Sequence, residues 1–353
     1  TPVNFLAAKA GMTAPLTGFT GSPSFQLAWT EAQDNIATPI DYNNKGVKQA
    51  QVVSMSIANL LNTSHANAAN QSLSGPDASG YYTATLKGAG TTKFPVGAKL
   101  RAVGLQGYFT QVSPAAARHA ISAVKAVTGD TARRIVVDNA KCAKCHEWFE
   151  GHGGNRVSNI EICVQCHVPG MATSGRGISD AALAAYTFNA AGTAIITEWK
   201  SKFGFDRTLP NAALKFPVTT NNMKDMIHGI HSGRDRVTPF VDARDRTPSA
   251  ITLLDFRRMD FPGRLNSCES CHVAGTYSNV SANALASTYE SIDAAYAGAI
   301  AAGTATPAIA KTALSSANND DTVTSPFAAA CISCHDSIAA QAHVANNGGK
   351  IMV

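Results

Sequence analysis

The chain has 353 residues, 45% of them hydrophobic and only 15% charged, with a formal net charge of +5. That length allows two domains or one elaborate one, and no apolar run approaches the ~18–20 residues of a membrane span. The arginines between residues 234 and 264 alternate with aspartates, which argues against a nucleic-acid backbone as partner.

In chain order, Thr1 opens without a basic or apolar leader and without a cysteine for a lipid anchor. The expectation is an export signal already removed and a soluble, untethered product. Residues 1–136 then read as an antiparallel, sandwich-like β-domain. Strand-like stretches occur at Phe25–Trp29, Gln51–Leu61, Gly80–Lys87, Lys99–Thr110 and His119–Val127, separated by Gly, Pro, Asn and Ser clusters. Tyr82, Ala84 and Leu86 alternate with Thr83, Thr85 and Lys87, the period of a half-buried strand. Arg133–Asp138 reads as a last strand leading into the second region, residues 137–353. There short helices are predicted at the cysteine motifs, around Asn222–His231 and around Ala282–Ala302, with little other regular structure. Gly303–Ser325, rich in Ala, Ser, Thr and Asn, reads as a surface loop.

All eight cysteines belong to one repeated pentapeptide, Cys-x-x-Cys-His, at Cys142–His146, Cys163–His167, Cys268–His272 and Cys331–His335. The pairs are Cys142 and Cys145, Cys163 and Cys166, Cys268 and Cys271, Cys331 and Cys334. In this spacing two thiols bond to the vinyl groups of a haem and the adjoining imidazole becomes its proximal iron ligand. A zinc site or a redox dithiol is the bland alternative. With ten histidines in 353 residues, four falling by chance behind four such pairs is roughly a one-in-a-million event. Zinc would leave the motif histidines without a role, and a thioredoxin-like dithiol would need a βαβ setting. The expectation is four covalently bound haem c groups, with His146, His167, His272 and His335 proximal. Attachment of this kind takes place outside the cytoplasmic membrane, so an exported location follows.

Six histidines remain for the distal positions: His65, His119, His152, His228, His231 and His343. His152, His228, His231 and His343 are the expected distal ligands. His119, in a presumed strand, and His65, in an Asn/Ala-rich loop, are reserves or inter-subunit candidates. His228 and His231 stand at i, i+3, on one helix face, where two adjacent haems are within reach. Met223 and Met226 are weaker substitutes. Each bis-histidine ferric haem with ionised propionates adds about −1, bringing the oxidised protein to roughly +1. Arg234, Arg236, Arg244, Arg246, Arg257, Arg258 and Arg264 are accordingly read as propionate partners, with a solvated mixed-charge loop as the alternative.

The segments KCAKCHEWFEGHGGNRV, EICVQCHVPG, KDMIHGIHSG, SCESCHVAGTY and CISCHDSIAAQAHVANNGG, spread over residues 133–353, resemble the outer-surface multihaem cytochromes of the OmcA/MtrC family. In that family the extra histidines of HGG, IHxIH and the terminal AH are distal ligands, which carries over to His152, His228 with His231, and His343. The resemblance of residues 1–136 to the family's strand-rich domain is weak. Family members carry about ten haems in two β-domains and two pentahaem domains. This chain, with four motifs, looks like a minimal version, similar to the OmcE-type tetrahaem cytochromes that polymerise into conductive filaments.

The resemblance implies an electron-transfer protein, not an enzyme in the ordinary sense, though reductase activity toward extracellular acceptors is compatible with it. The expected role is the subunit of a head-to-tail homopolymeric nanowire, passing electrons to other extracellular or outer-membrane cytochromes and to extracellular acceptors. The alternative is a monomeric secreted shuttle or a metal- or mineral-reducing cytochrome. A multihaem enzyme would need an iron with an open position, which the histidine supply argues against. An adhesion role for the β-region has no supporting motif, and the sequons at Asn62 and Asn70 permit glycosylation without requiring it.

Overall fold

The computed structural model describes residues 16–43, 53–66, 68–87, 93–171, 175–176, 178–203, 206–210, 213, 220–238, 240–247, 249–289 and 322–352. Packing divides the chain into two compact units that interleave in sequence. The first comprises Thr1–Asn44, Gln51–Cys166 and Cys268–Asn283, and the second Lys45–Ala50, His167–Ser267 and Ala284–Val353. This line differs from a single cut after residue 136, because the first unit also takes in pentapeptides one and three and the cysteines of the second.

The first unit is built on antiparallel sheets. β1 (Phe19–Thr20), β2 (Ser24–Thr30) and β3 (Val53–Ser56) precede helix α1 (Ile57–Leu61). β4 (Gln71–Ser74) and β5 (Thr83–Leu86) form a hairpin. β6 (Lys99–Gln106), β7 (Tyr108–Gln111), β8 (Ala116–His119) and β9 (Ala123–Ala126) follow. One sheet has the order β3-β2-β6-β9, with Leu27 opposite both Val53 and Val103; another has the order β1-β7-β8. Leu27 and Trp29, two apart and so on one face of β2, form a core with Ala98, Phe94 and Val103. Burying each contributes about 1.5–3 kcal/mol.

Two of the anticipated long strands are each broken, because they change sheets. Lys99–Thr110 divides at Gly107, whose φ of +112° leads β6 in one sheet into β7 in the other. A Cβ there would meet the Pro23 Cα at 2.9 Å, so the bend depends on glycine. His119–Val127 divides likewise between β8 and β9. Gln51–Leu61 turns helical halfway, where the Ser56 side chain caps α1 by accepting from the Asn59 N–H at 3.0 Å. Arg133–Asp138 is no strand: its pairing is a single bridge, Val137 to His272.

Helix α2 (Asn139–Cys142), the short hairpin β10 (Glu150–Gly151) and β11 (Arg156–Val157), and helix α3 (Ile160–Cys163) complete this unit. α3 lies so close to β6 that a Cβ on Gly104 would sit 2.5 Å from both Ile162 Cδ1 and Gln165 Oε1. Gly104→Ala is therefore expected to cost about 1–3 kcal/mol by overpacking, read from urea unfolding. A change below about 0.5 kcal/mol would mean that the sheet does not seat α3.

The second unit contains β12 (Gly175–Arg176), α4 (Asp180–Ala184), α5 (Ala190–Phe203) and α6 (Met223–His231). After them come the hairpin β13 (Val241–Thr247) and β14 (Ala250–Asp255), then β15 (Ser287–Tyr289), β16 (Thr322–Thr324), α7 (Pro326–Ile332), α8 (Ile338–Asn346) and β17 (Ile351–Met352). α6 fulfils the expected helix, with Asn222 as its cap. Of the helix expected over Ala282–Ala302, residues 282–286 are instead turn and irregular chain, Ser287–Tyr289 is strand β15, paired with β16, and residues 290–302 lie outside the described residues. So does Gly303–Asp321 of the expected loop, whose end is β16. α5 was not anticipated; most of its residues are exposed, so it lacks the apolar period by which a helix is read. Among the described residues no helix is long and apolar enough to cross a membrane.

Candidate functional site

The four pentapeptides adopt one backbone turn. The second cysteine donates its N–H to the carbonyl of the first at 3.1 Å (Cys145), 3.1 Å (Cys166), 3.2 Å (Cys271) and 3.3 Å (Cys334). His146, His272 and His335 donate their N–H to that same carbonyl, each at 2.9 Å. This is a single helical turn, in which positions i, i+3 and i+4 share a side. Two thiols and an imidazole are thereby presented together. The turns are started by caps: Asp138 accepts from the Ala140 N–H at 2.9 Å and Asn159 from the Glu161 N–H at 3.0 Å. Each cap stands four residues before the first cysteine of its motif.

All eight thiols are free of disulfides. Burial pushes the Cys163 thiol up to about 12, and raises Cys142, Cys166, Cys271 and Cys331 as well. Metal thiolates need the opposite shift, whereas a thioether is neutral and carries no charge to desolvate. Burial also holds the His272 imidazole below its ordinary value, and so neutral, as an iron ligand must be. Among the described residues no group of three or more His, Cys, Asp or Glu gathers as a bare-ion site. The donor set fits a thioether-linked haem.

In the first unit three motifs are docked on one another. The Asp138 N–H donates to the Cys271 carbonyl at 3.0 Å and the Val273 N–H to the Val136 carbonyl at 2.9 Å. Lys141 Nζ reaches the carbonyls of Glu269 at 2.9 Å and His272 at 2.6 Å. The Asn139 side chain accepts from the Ile160 N–H at 2.8 Å, tying α2 to α3. Arg133, nearly buried, bonds Asp41 at 2.7 Å and approaches Glu161 at 3.4 Å. Residues 126 apart in sequence, Cys142 and Cys268, thus belong to one assembly. His152 leads the β10–β11 loop with φ +56°. His119 touches that loop, its Nδ1 3.0 Å from the Gly154 carbonyl. His65 closes a turn after α1, its N–H on the Asn62 carbonyl at 3.1 Å.

In the second unit α6 stands between two motifs. At its start the Met223 N–H donates to the His167 carbonyl at 3.1 Å, and His167 Nδ1 lies 2.8 Å from the Asn221 carbonyl. At its end Ser232 Oγ donates to the Ser333 carbonyl, inside the fourth motif, at 3.1 Å. His228 and His231 lie between these ends, and His231 Nδ1 sits 2.9 Å from the Ile227 carbonyl. The buried Asp225 carboxyl accepts from Thr220 Oγ1 at 3.0 Å and lies 3.3 Å from Ser333 Oγ, and burial raises its pKa. His343 is on α8, whose Val344 packs against Ala328 and Ile332 of α7, the helix that carries Cys331.

Three of the clustered arginines pair with aspartates in the structure. Arg234 pairs with Asp260, Arg257 with Asp255 at 2.7 Å, and Arg236 with Asp336 at 3.4 Å, beside His335. Asp255 and Asp260 stand 2 and 26 residues from their arginines, whereas Asp336 is 100 residues from Arg236 and is brought to it by the fold. The docking residues Asn139, Lys141, Asn159, Asp225 and Asp336 were not singled out from the sequence. For Asn159, and for the Asp138 cap beside Asn139 and Lys141, a signal existed: a capping residue four places before a motif cysteine.

No curated protein matches the chain. Among solved structures it is similar to the outer membrane decahaem cytochrome OmcA, at 15% identity and a TM-score of 0.40, over 94% of this chain and 39% of that one. The chain therefore spans well under half the length of that relative. Residues 134–353, more than half of the chain, match the family model described as outer membrane cytochrome MtrC/MtrF-like, domains II/IV. With residues 134–353 matching its model, the chain, which carries four Cys-x-x-Cys-His turns, belongs to this family of outer-membrane multihaem cytochromes.

Proposed function

We propose that this chain carries electrons outside the cell as a tetrahaem cytochrome, and that it does so as the subunit of a head-to-tail filament. The observation that carries the reading is the recurrence of one Cys-x-x-Cys-His turn four times, with the turns docked on one another or on α6. The cysteine pairs would hold the haems as thioethers, with His146, His167, His272 and His335 as proximal ligands. His152, His228, His231 and His343 are the distal set we favour, His65 and His119 the reserves. Bound there, haem supplies a reversible one-electron iron couple whose potential depends on axial ligands and burial. The chain's own part is to hold imidazoles in the right tautomer and to keep sites adjacent. A Nδ1–H fixed on a backbone carbonyl, as at His167 and His231, leaves the Nε2 lone pair for iron.

The haem-free residues 1–136 are read as a sandwich-like β-domain that supports residues 137–353, a division by cofactor content. Partners would be further copies of the chain, other extracellular or outer-membrane cytochromes, and extracellular acceptors. A distal histidine supplied by a neighbouring copy would link assembly to ligation. A heterologous contact of that kind propagates as a helix unless its rotation closes a ring.

Negative-stain imaging of the purified holoprotein tests the polymer. Filaments are expected, and they should break when His343 and His65 are both replaced by alanine. Discrete particles at every concentration would leave a monomeric shuttle or mineral-reducing cytochrome in its place. Filaments that persist in the double variant, with every iron still low-spin, would rule out a ligand supplied across the subunit boundary.

A further inference from the structure

The β10–β11 hairpin carries His152 at its tip, in the run His152-Gly153-Gly154 with φ values of +56°, +67° and +82°. A left-handed conformation is unfavourable for a residue with a Cβ, so His152 needs outside support to stay there. That support comes from the haem-free strands. The Gly107 N–H, at the β6–β7 corner, donates to the Asn155 carbonyl at 2.8 Å. The Ser122 N–H donates to the Val157 carbonyl at 3.1 Å, and Ser122 Oγ accepts from the Val157 N–H at 3.2 Å. At the tip itself the grip is a side chain, His119 at the end of β8.

His119 Nδ1 lies 3.0 Å from the Gly154 carbonyl. A carbonyl only accepts, so Nδ1 is the protonated nitrogen. The ring packs on Tyr108 at 4.8 Å and on Trp148 at 6.0 Å between centroids, and Trp148 is itself tied to Glu150 by a 2.7 Å bond from Nε1. The seat is made for this ring: a Cβ on Gly154 would stand 2.0 Å from His119 Cε1 and 2.3 Å from Nδ1.

We propose that His119 is a positioning residue that fixes the His152 loop, so that the β-region sets the orientation of an axial ligand in the haem region. This accounts for a histidine the four irons do not need, and it rests on the tetrahaem reading above. The test uses the holoprotein, with covalent haem counted first by mass. Fewer than four haems in the wild type would defeat the tetrahaem reading instead, independently of this inference.

His119→Ala is expected to weaken or abolish one of four low-spin ferric signals in paramagnetic resonance and to move one potential, with four haems still attached. His119→Asn keeps a donor nitrogen close to the position of Nδ1 and is expected to retain all four signals. Gly154→Ala, which fills the seat, should reproduce the His119→Ala spectrum. If His119→Ala leaves signals and potentials unchanged, the residue is a surface histidine and the proposal fails. If His119→Asn loses a low-spin centre as fully as His119→Ala, and added imidazole restores it in both, His119 is itself a ligand and the proposal is equally overturned.

Discussion

Replacing His228 and His231 together by alanine is expected to remove two of the four low-spin haem signals, and each single replacement one, never the same one. The i, i+3 spacing puts both imidazoles on one face of α6. Two neighbouring nitrogens on one face cannot approach opposite sides of a single iron, so as ligands they would serve two. The ends of α6 indicate which two: one end is bonded to His167 of the second motif and the other to Ser333 of the fourth. His231 also holds its Nδ1 on the Ile227 carbonyl, one turn back, which fixes the tautomer that leaves Nε2 for a metal. Covalent attachment depends on the cysteines, so mass should stay at four haems in all three variants while the spectra change. A double variant that loses one low-spin centre only would show that the helix serves one haem.

The motifs and α6 were legible in the sequence because each is a local pattern. A Cys-x-x-Cys-His turn needs five residues, and Asn222 followed by an amphipathic nine-residue run announces a capped helix. β2 was legible for the same reason: Phe25, Leu27, Ala28 and Trp29 make a short, mostly apolar run with turn residues before it. What failed was everything decided by a distant partner. Arg133–Asp138 has the composition of a strand, yet its backbone partners are Cys271 and Val273, more than 130 residues on, and not a sheet edge. The runs through Gly107 and through residues 120–122 keep their β character on both sides, and only the tertiary fold shows that each changes sheets. β15 fails similarly: Ser287–Tyr289 is extended because β16 pairs with it, against the helical composition that follows.

The arginines carry the same lesson for the site. Clustering alone does not name their partners: Arg257 pairs with Asp255 two residues away, whereas Arg236 pairs with Asp336, 100 residues on. Asp336 does more than pair with Arg236. It also accepts from the N–H groups of Val237 at 2.8 Å and Thr238 at 2.6 Å, so it pins the fourth motif to the segment after α6. Charge-assisted bonds of this kind contribute about 1.5–3 kcal/mol each, in addition to the packing of Ala328 and Ile332 against Val344.

The mature holoprotein should carry four haems by mass, and removing both cysteines of any one motif should leave three. The consequences should differ by motif. Cys268→Ala with Cys271→Ala is expected to disturb the first motif's haem as well, because the two motifs share a bridge at Val137–His272 and two bonds from Lys141 Nζ. Loss of the third haem therefore loosens the carbonyls that Lys141 and Asp138 rely on, and the spectrum of the first should broaden or shift with it. Cys331→Ala with Cys334→Ala should instead act on α6, through Ser232, Asp225 and Arg236, and disturb the signals that depend on His228 and His231. Lys141→Met separates docking from haem loss: it removes the ammonium and leaves every ligand in place. It should retain four haems by mass, cost about 1.5–3 kcal/mol in unfolding free energy, and reproduce in milder form the effect of the third-motif variant on the first haem. Four haems with an unchanged first-haem spectrum in both variants would mean that the two motifs, though bonded, are energetically independent.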